Sequence, residues 1–476
     1  MSFRFFSFIN KFTLFSIIFS IIFSLFSFSS YADNFLEEAE QRKFLPIESN
    51  DYENWPQGPS IGAQAAILMD ANTGSILYAK NIHEKLFPAS ITKLLTTYIA
   101  VNKCDPDEII TFSKEAINSI KWWEDANMGV NPGTKLPLKD VLSGILIGSA
   151  NEAAYAVAEH ISGNVTSFGK LMNETAASLG CINSNFITPN GIHDVNHYTT
   201  AYDMALIAKA FFSNELLSQL SSTLNYSVPV NSTQNKEGLH LSAKSQLLPG
   251  KAYAYEYLVG TKTGYTSSAR QTLVSCASKD GMKLICVILK EENPYQFTDT
   301  IDLFNYGFNN FSPVYLKDHD NPYSIENKFF SDSSGILGNH KTILSLNSND
   351  YILLPNTLTF KDLTSSVSYD NNDQLVCTVN YSYKEHLLGK IGVFLAEDDS
   401  YTYSFGSKFI DTYKHDVSNN DNIIFINIFQ IIIFLIVFLL FIIAIVFFKF
   451  LISEKLLHST KKKRTKRKFY STKKFK

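Results

Sequence analysis

The sequence predicts an α+β protein: a domain of helices on an antiparallel sheet, a small all-β domain after it, and a transmembrane helix near the C-terminus. Three observations lead there. Strand-like apolar runs open the domain at Ala63–Met69 and Ser75–Tyr78, a long helix-compatible stretch comes next, and strand signals return at Thr272–Ala277 and Lys283–Leu289. From about Ser312 to Ser407 the chain changes to short β-rich runs separated by Ser- and Asn-rich intervals. Beyond these, Ile423 to Phe448 is 26 residues without a charge.

The first 32 residues carry Arg4 and Lys11, no acid, and an apolar run from Phe12 to Phe28 broken only by serines and a threonine. Ser30-Tyr31-Ala32 then places small residues at −3 and −1 of a cleavage site, so residues 1–32 read as a secretory signal peptide. The run is slightly long for such a segment, which leaves an uncleaved anchor as the alternative; both readings export the domain that comes after it. Residues 33–60 read as a polar linker.

The two opening runs flank Asp70-Ala71-Asn72-Thr73-Gly74, a hairpin turn signal. Helical spacing covers Ile91–Val101, Leu138–Ile147, Asn151–Ile161, Val165–Leu179 and Ala201–Phe212. Lys279-Asp280-Gly281 between the returning strands marks a second hairpin. Strands at both ends of the domain must share one sheet, and the domain is bounded at 61–311. Thr342–Leu346, Tyr351–Leu354, Leu375–Tyr381 and Ile391–Leu395 are the strand runs of the β-rich domain at 312–410.

The stretch at 423–448 carries apolar residues on every face, which argues against a core helix and for a membrane span. It would cover about 39 Å at ~1.5 Å per residue, enough for a ~30 Å hydrocarbon core with tilt. Residues 449–476 hold twelve Lys or Arg and one acid. That basic tail belongs on the cytoplasmic side, so everything before the span lies outside in the cell membrane's extracytoplasmic space. Of the chain's net −3, the tail supplies +11 and the signal +2, which leaves −16 for residues 33–448 and argues against nucleic acid as a partner. The five cysteines form no C-x-x-C pair and are odd in number, so they read as small buried hydrophobes, with no metal or cofactor implied.

Three short motifs carry chemistry: Ser90-Ile91-Thr92-Lys93, Ser149-Ala150-Asn151 and Lys262-Thr263-Gly264. Each alone is weak; their joint order and context give them meaning. Ser90 starts a helix and Lys93 projects from the same face one turn on. A serine hydroxyl needs a base, and a lysine serves only if burial and neighbours lower its pKa, which Ile91, Leu94 and Leu95 favour. The helix N-terminus offers N–H groups to a developing oxyanion. Ser149 and Asn151 sit between two helices, where they can relay a proton to a leaving amine and hold Lys93 and a substrate amide. Lys262 is a cation on a strand, suited to a terminal carboxylate; Thr263 adds a hydroxyl, and Gly264 clears the strand edge for substrate.

These motifs, with Pro88-Ala89-Ser90-Ile91-Thr92-Lys93, the run His197 to Ala205 and the run Asp302 to Phe308, resemble the low-molecular-mass penicillin-binding proteins that are D-alanyl-D-alanine carboxypeptidases. The resemblance is strong over about Ile61 to Phe311 and weak to about Ser407. It implies a β-lactamase-like transpeptidase fold with a helical subdomain, peptidoglycan stem peptides as substrate and β-lactam antibiotics as covalent ligands, whereas the cytoplasmic membrane as a partner is read from this sequence's own span and basic tail. It also implies that Ser90 forms the acyl-enzyme, Lys93 accepts the proton, Ser149 completes the catalytic set and Lys262 binds substrate. The oxyanion hole would be the backbone N–H groups of Ser90 and Tyr265. The family often ends in an amphipathic helix on the membrane, whereas this sequence ends in an apparent full span.

A class A β-lactamase shares the motif logic, but Ala150 stands where S-D-N has Asp, and more than two hundred residues lie beyond Lys262. A silent peptidoglycan-binding protein would have no need for all four of Ser90, Lys93, Ser149 and Lys262. Endopeptidase action on cross-links is a closer alternative that the same site supports.

Overall fold

A computed structural model describes residues 34–121, 125–228, 238–316, 344–346, 351–368 and 375–395, all within one compact unit. Its centre is a five-stranded antiparallel sheet in the order Ile76–Lys80, Ala65–Asp70, Met282–Glu291, Arg270–Lys279, Leu258–Thr266. The first and last parts of the domain therefore meet as expected, with Ile67 opposite Val287 and Leu68 opposite Cys286. Both expected hairpins form. At the second, Asp280 and Gly281 take φ of 51° and 82°, the paired left-handed conformations that match the twist of the flanking strands.

Alternation along the strands feeds two cores. Ile67, Met69, Val274, Cys276, Ile285 and Val287 join the helical core on one face. Leu68, Leu273, Ala277, Leu284, Cys286 and Ile288 join a second core under the helix Tyr295–Asn310 and the β-rich segment. Burial on both faces accounts for strands that read as nearly continuous apolar runs.

The helical layer comprises Lys93–Lys103, Asn151–Ser162, Val165–Ser178, Ala201–Ser213 and Glu215–Ser221. Its ends are set by side chains that accept from early N–H groups: Asn164 from Ser167, Thr200 from Asp203, Asn214 from Leu217. The helix expected over Leu138–Ile147 is in two parts. Regular turns run from Leu138 to Ser143, and a wider π-type turn, Gly144–Gly148, then delivers Ser149 in a left-handed conformation with φ 61°. The helices Glu215–Ser221 and Tyr295–Asn310 were not among those read from spacing.

Residues 33–60, read as a linker, are folded from residue 34 onward. A helix spans 34–42, and the chain then lies along the outer strand, where Trp55 Nε1 donates to Leu77 O at 3.0 Å and Ala79 N donates to Ser49 Oγ at 3.2 Å. Beyond Asn310, Phe311–Tyr315 pairs with Tyr351–Pro355, and a four-stranded sheet has the order Leu344–Leu346, His386–Leu395, Leu375–Tyr383, Thr364–Ser368. This β-rich segment is fixed to the first hairpin: Tyr351 Oη donates to the buried Asp70 Oδ1 at 2.9 Å, and Ser75 Oγ donates to Leu388 O.

Four cysteines, Cys181, Cys276, Cys286 and Cys377, are buried as expected. Cys104 is not: it caps the end of the Lys93–Lys103 helix and is partly exposed. The signal peptide, the span at 423–448 and the basic tail lie outside the described residues. Among the described residues no helix is long and apolar enough to cross a membrane.

Candidate active site

Ser90 stands in a short 3-10 turn, Ala89–Thr92, that feeds directly into the Lys93–Lys103 helix. Ala89 has a φ of 50°, a strained value for a residue with a side chain. The turn is held in that shape from two sides. Thr272 Oγ1 donates to Pro88 O at 2.8 Å, and Gly191 lies so close that a Cβ there would fall 1.9 Å from Ala89 O. Below it, the N–H groups of Ile187 and Thr188 donate to His197 Nδ1 at 3.0 and 3.2 Å, so Nε2 carries the ring proton and donates to Thr92 Oγ1 at 2.9 Å. Burial pushes His197 down to about 4, which keeps this strut neutral.

The three motifs converge on one amino group. Lys93 Nζ lies 2.8 Å from Ser90 Oγ, 2.6 Å from Asn151 Oδ1, 2.9 Å from Ser149 O and 3.4 Å from Ser149 Oγ. The side chain is fully buried. Ser149 reaches it because the left-handed backbone ending the π-type turn aims both its carbonyl and its hydroxyl inward. Asn151 reaches it from the first position of the next helix.

From the edge strand Leu258–Thr266, Lys262 Nζ donates to Ser149 Oγ at 3.0 Å and to Thr263 O at 2.9 Å. Gly264 is two residues on and faces the same way. A Cβ on it would sit 2.8 Å from Ser90 N and 2.4 Å from Thr272 Oγ1, so only glycine lets the strand lie against the Ser90 backbone. That contact brings the Gly264–Tyr265 peptide beside the Ser90 N–H. The Tyr265 side chain is exposed, and the Arg270 guanidinium lies 5.9 Å from its ring centroid.

Electrostatics follow from this packing. Lys93 is held well below the ordinary lysine range, first by burial and then by the charge of Lys262, with Lys244 adding in the same direction and Glu152 opposing. Lys262 is lowered to about 7, by burial and by Lys244. Two buried lysines bridged by one hydroxyl cannot both keep their protons cheaply. The arrangement disfavours the charge on Lys93, whose amine touches the Ser90 hydroxyl, more than the charge on Lys262.

The structure brings the residues named from the sequence into one hydrogen-bonded cluster: Lys93 joins Ser90, Ser149 and Asn151, Lys262 is linked through Ser149, and Thr263, Gly264 and Tyr265 are next along the strand. Sequence reading missed Lys244, which lines the neighbouring pocket with Ser149, Ser245, Lys262 and Thr263. It also missed Glu152, buried beside Asn151 and accepting from Met128 N. No spacing pattern marks either; they come near Lys93 only through the fold.

An antiparallel sheet flanked by helices, with a serine on a buried lysine and a second lysine joined to them through Ser149, is an arrangement suited to serine acyl transfer. The profile of the D-alanyl-D-alanine carboxypeptidase family, the S11 peptidases, matches residues 52–293, and the chain belongs to that family. D-alanyl-D-alanine carboxypeptidase DacF of Bacillus subtilis is 31% identical over 263 residues, which is 54% of this chain and 65% of that relative. DacC of Escherichia coli is 31% identical over 294 residues, 59% of this chain and 70% of its own length. Among solved structures, penicillin binding protein 5 of Haemophilus influenzae superposes with a TM-score of 0.55 at 25% identity, covering 72% of this chain and 99% of that one. The Streptomyces K15 DD-transpeptidase gives 0.50 at 26%, covering 53% of this chain and all of the other.

Gly264→Ala tests the contact between strand and nucleophile. Its methyl group would displace the Ser90 turn by a fraction of an ångström to an ångström, so the rate of acylation of Ser90 by a fluorescent penicillin should fall about 100-fold, with the thermal unfolding midpoint little changed. An unaltered acylation rate would mean that the strand's close approach does not matter.

Proposed function

We propose that this chain is an exported, membrane-anchored serine carboxypeptidase that removes the terminal D-alanine from peptidoglycan stem pentapeptides. The reading is carried by one observation: a fully buried Lys93 amine 2.8 Å from Ser90 Oγ, with a second cation, Lys262, on the other side of Ser149.

In this reading Lys262 receives the substrate's terminal carboxylate, and the peptide lies along the Leu258–Thr266 edge. Lys93 takes the Ser90 proton as Oγ attacks the carbonyl carbon of the penultimate D-alanine. The oxyanion forms against the N–H groups of Ser90 and Tyr265. As the C–N bond breaks, the proton held on Lys93 passes through the Ser149 hydroxyl to the departing D-alanine amine. The acyl group remains on Ser90. With D-alanine gone, a water enters, gives its proton to the neutral Lys93 and attacks the ester; the proton then returns to Ser90 Oγ as the shortened peptide leaves. Asn151 holds the Lys93 amine and the substrate amide, and Thr263 binds beside Lys262.

The same site would acylate with a penicillin, whose opened ring stays tethered to the carbonyl carbon and blocks the approaching water. The purified protein in detergent should therefore release D-alanine repeatedly from diacyl-Lys-D-Ala-D-Ala while its penicilloyl adduct persists for minutes or longer. Ser90→Ala should abolish both reactions. Rapid repeated penicillin hydrolysis without release of D-alanine would identify a β-lactamase and end this reading.

The anchoring rests on the sequence alone: a leader at 1–32, an uncharged stretch at 423–448 and a basic tail at 449–476. Protease added to intact protoplasts should remove the domain and spare a tag at the C-terminus. Digestion of that tag would overturn the topology.

A further inference from the structure

We propose that Cys104, Glu108 and His160 form a binding site for one zinc ion, with water as the fourth ligand. The site is separate from the peptidase centre, and the proposal stands whether or not the reading of that centre is right. The three residues come from two helices and the loop at the end of one of them. Cys104 is the C-cap of the Lys93–Lys103 helix, and His160 is in the last turn of Asn151–Ser162. Glu108 is brought back by a tight loop and joins the strand Ile109–Thr111. The loop is braced by backbone bonds from Glu108 N to Asp105 O at 3.0 Å, from Lys139 N to Pro106 O at 2.9 Å and from Leu138 N to Glu108 O at 2.8 Å.

One sulfur, one imidazole nitrogen and one carboxylate oxygen lie within 4.8 Å of one another. Tetrahedral zinc with bonds of about 2.3 Å to sulfur and about 2.0–2.2 Å to nitrogen and oxygen needs ligand atoms roughly 3.2–3.8 Å apart. The present Glu108 Oε1 to His160 Nε2 contact is 2.7 Å, so the pair has to open by about half an ångström, a small change for two partly exposed side chains. Thiolate, imidazole and carboxylate together suit zinc better than calcium or magnesium, which prefer all-oxygen sites. Thiolate plus carboxylate carry −2, which balances the dication. Both helices also present their negative C-terminal ends here, as a cation favours.

A nucleophilic cysteine is the rival reading of such a cluster. It requires the thiol on the imidazole and a lowered pKa. Here the imidazole bonds to Glu108 instead, and burial together with Glu108 pushes the Cys104 thiol up to about 11. A metal reverses that: zinc would replace the thiol proton, which goes to solvent, and take the imidazole Nε2 that now bonds to Glu108, the ring N–H being left on Nδ1.

The placement gives the site a consequence. Lys93 and Asn151 are the first residues of the two helices whose far ends carry Cys104 and His160. Helices of 11 and 12 residues place the cluster about 17 Å from the peptidase centre at ~1.5 Å per residue. A bound ion would tie those far ends together and stiffen the pair that meets at Lys93 Nζ.

Full-length protein in detergent, free of any histidine tag, should retain one zinc per chain after dialysis. Cobalt(II) in its place should give the visible bands of a tetrahedral site and a near-ultraviolet thiolate band. Cys104→Ser should lose the thiolate band, and Cys104→Ser and His160→Gln should each weaken binding at least ~100-fold while still being acylated by penicillin, which shows that they fold. Zinc at a hundredfold excess over its Kd should raise the midpoint of the parent by about 3–6 °C and leave the variants unmoved. No stoichiometric zinc, an octahedral cobalt spectrum without the thiolate band, or zinc retention by Cys104→Ser and His160→Gln equal to the parent's would each overturn the site.

Discussion

The Lys93 amine is the constraint on which the rest of the site depends. It is fully buried, and in the proposed reaction it takes a proton from Ser90, so the surroundings have to disfavour its charge without leaving its hydrogen-bonding capacity unmet. Burial and the neighbouring Lys262 do the first; Ser90 Oγ, Asn151 Oδ1 and Ser149 O do the second. The groups around it come from three segments, 89–93, 149–151 and 258–266, and each is brought there by a local departure from regular structure. Ser90 uses a positive-φ alanine before it, Ser149 uses a π-type turn and its own left-handed backbone, and Lys262 uses an edge strand with a glycine two positions on. Strain gathered at these points is what a preorganised site requires.

The arrangement has a thermodynamic cost. Lys93 has a lower pKa folded than unfolded, so the unfolded chain binds the extra proton between the two values. Stability therefore rises with pH across that interval, and the penalty is complete below the folded value and gone above the unfolded one. The two apolar cores on either face of the sheet offset it, as does the bracing of the Ser90 turn by Thr272, Gly191 and His197. The β-rich segment contributes to the second core and donates from Tyr351 to the buried Asp70, so it supports the sheet from the face opposite the site.

Much of this was legible in the sequence. Alternating and continuous apolar runs located four of the five sheet strands, and the two hairpin turns were marked by glycine at positions needing positive φ. The three motifs named the residues that meet at Lys93. What was hidden depends on packing at a distance. The break in the Leu138–Ile147 helix leaves no trace in apolar spacing, because Gly144, Ile145, Leu146 and Ile147 are all buried and no polar face marks the change of pitch. Residues 33–60 look polar, yet Arg42 and Trp55 are buried because backbone carbonyls accept from them. Cys104 resembles the other four cysteines in sequence and differs only in where its helix ends. Lys244 carries no motif and acts on Lys93 and Lys262 through space.

The most direct measurement is the protonation state of Lys93 itself, read from the side-chain resonance of protein carrying isotopically labelled lysine and assigned by its loss in Lys93→Arg. The account predicts a Lys93 amine that gives up its proton well below the range of ~10.4 in which surface lysines titrate. A Lys93 resonance that is charged at pH 7 and titrates with those surface lysines would contradict it.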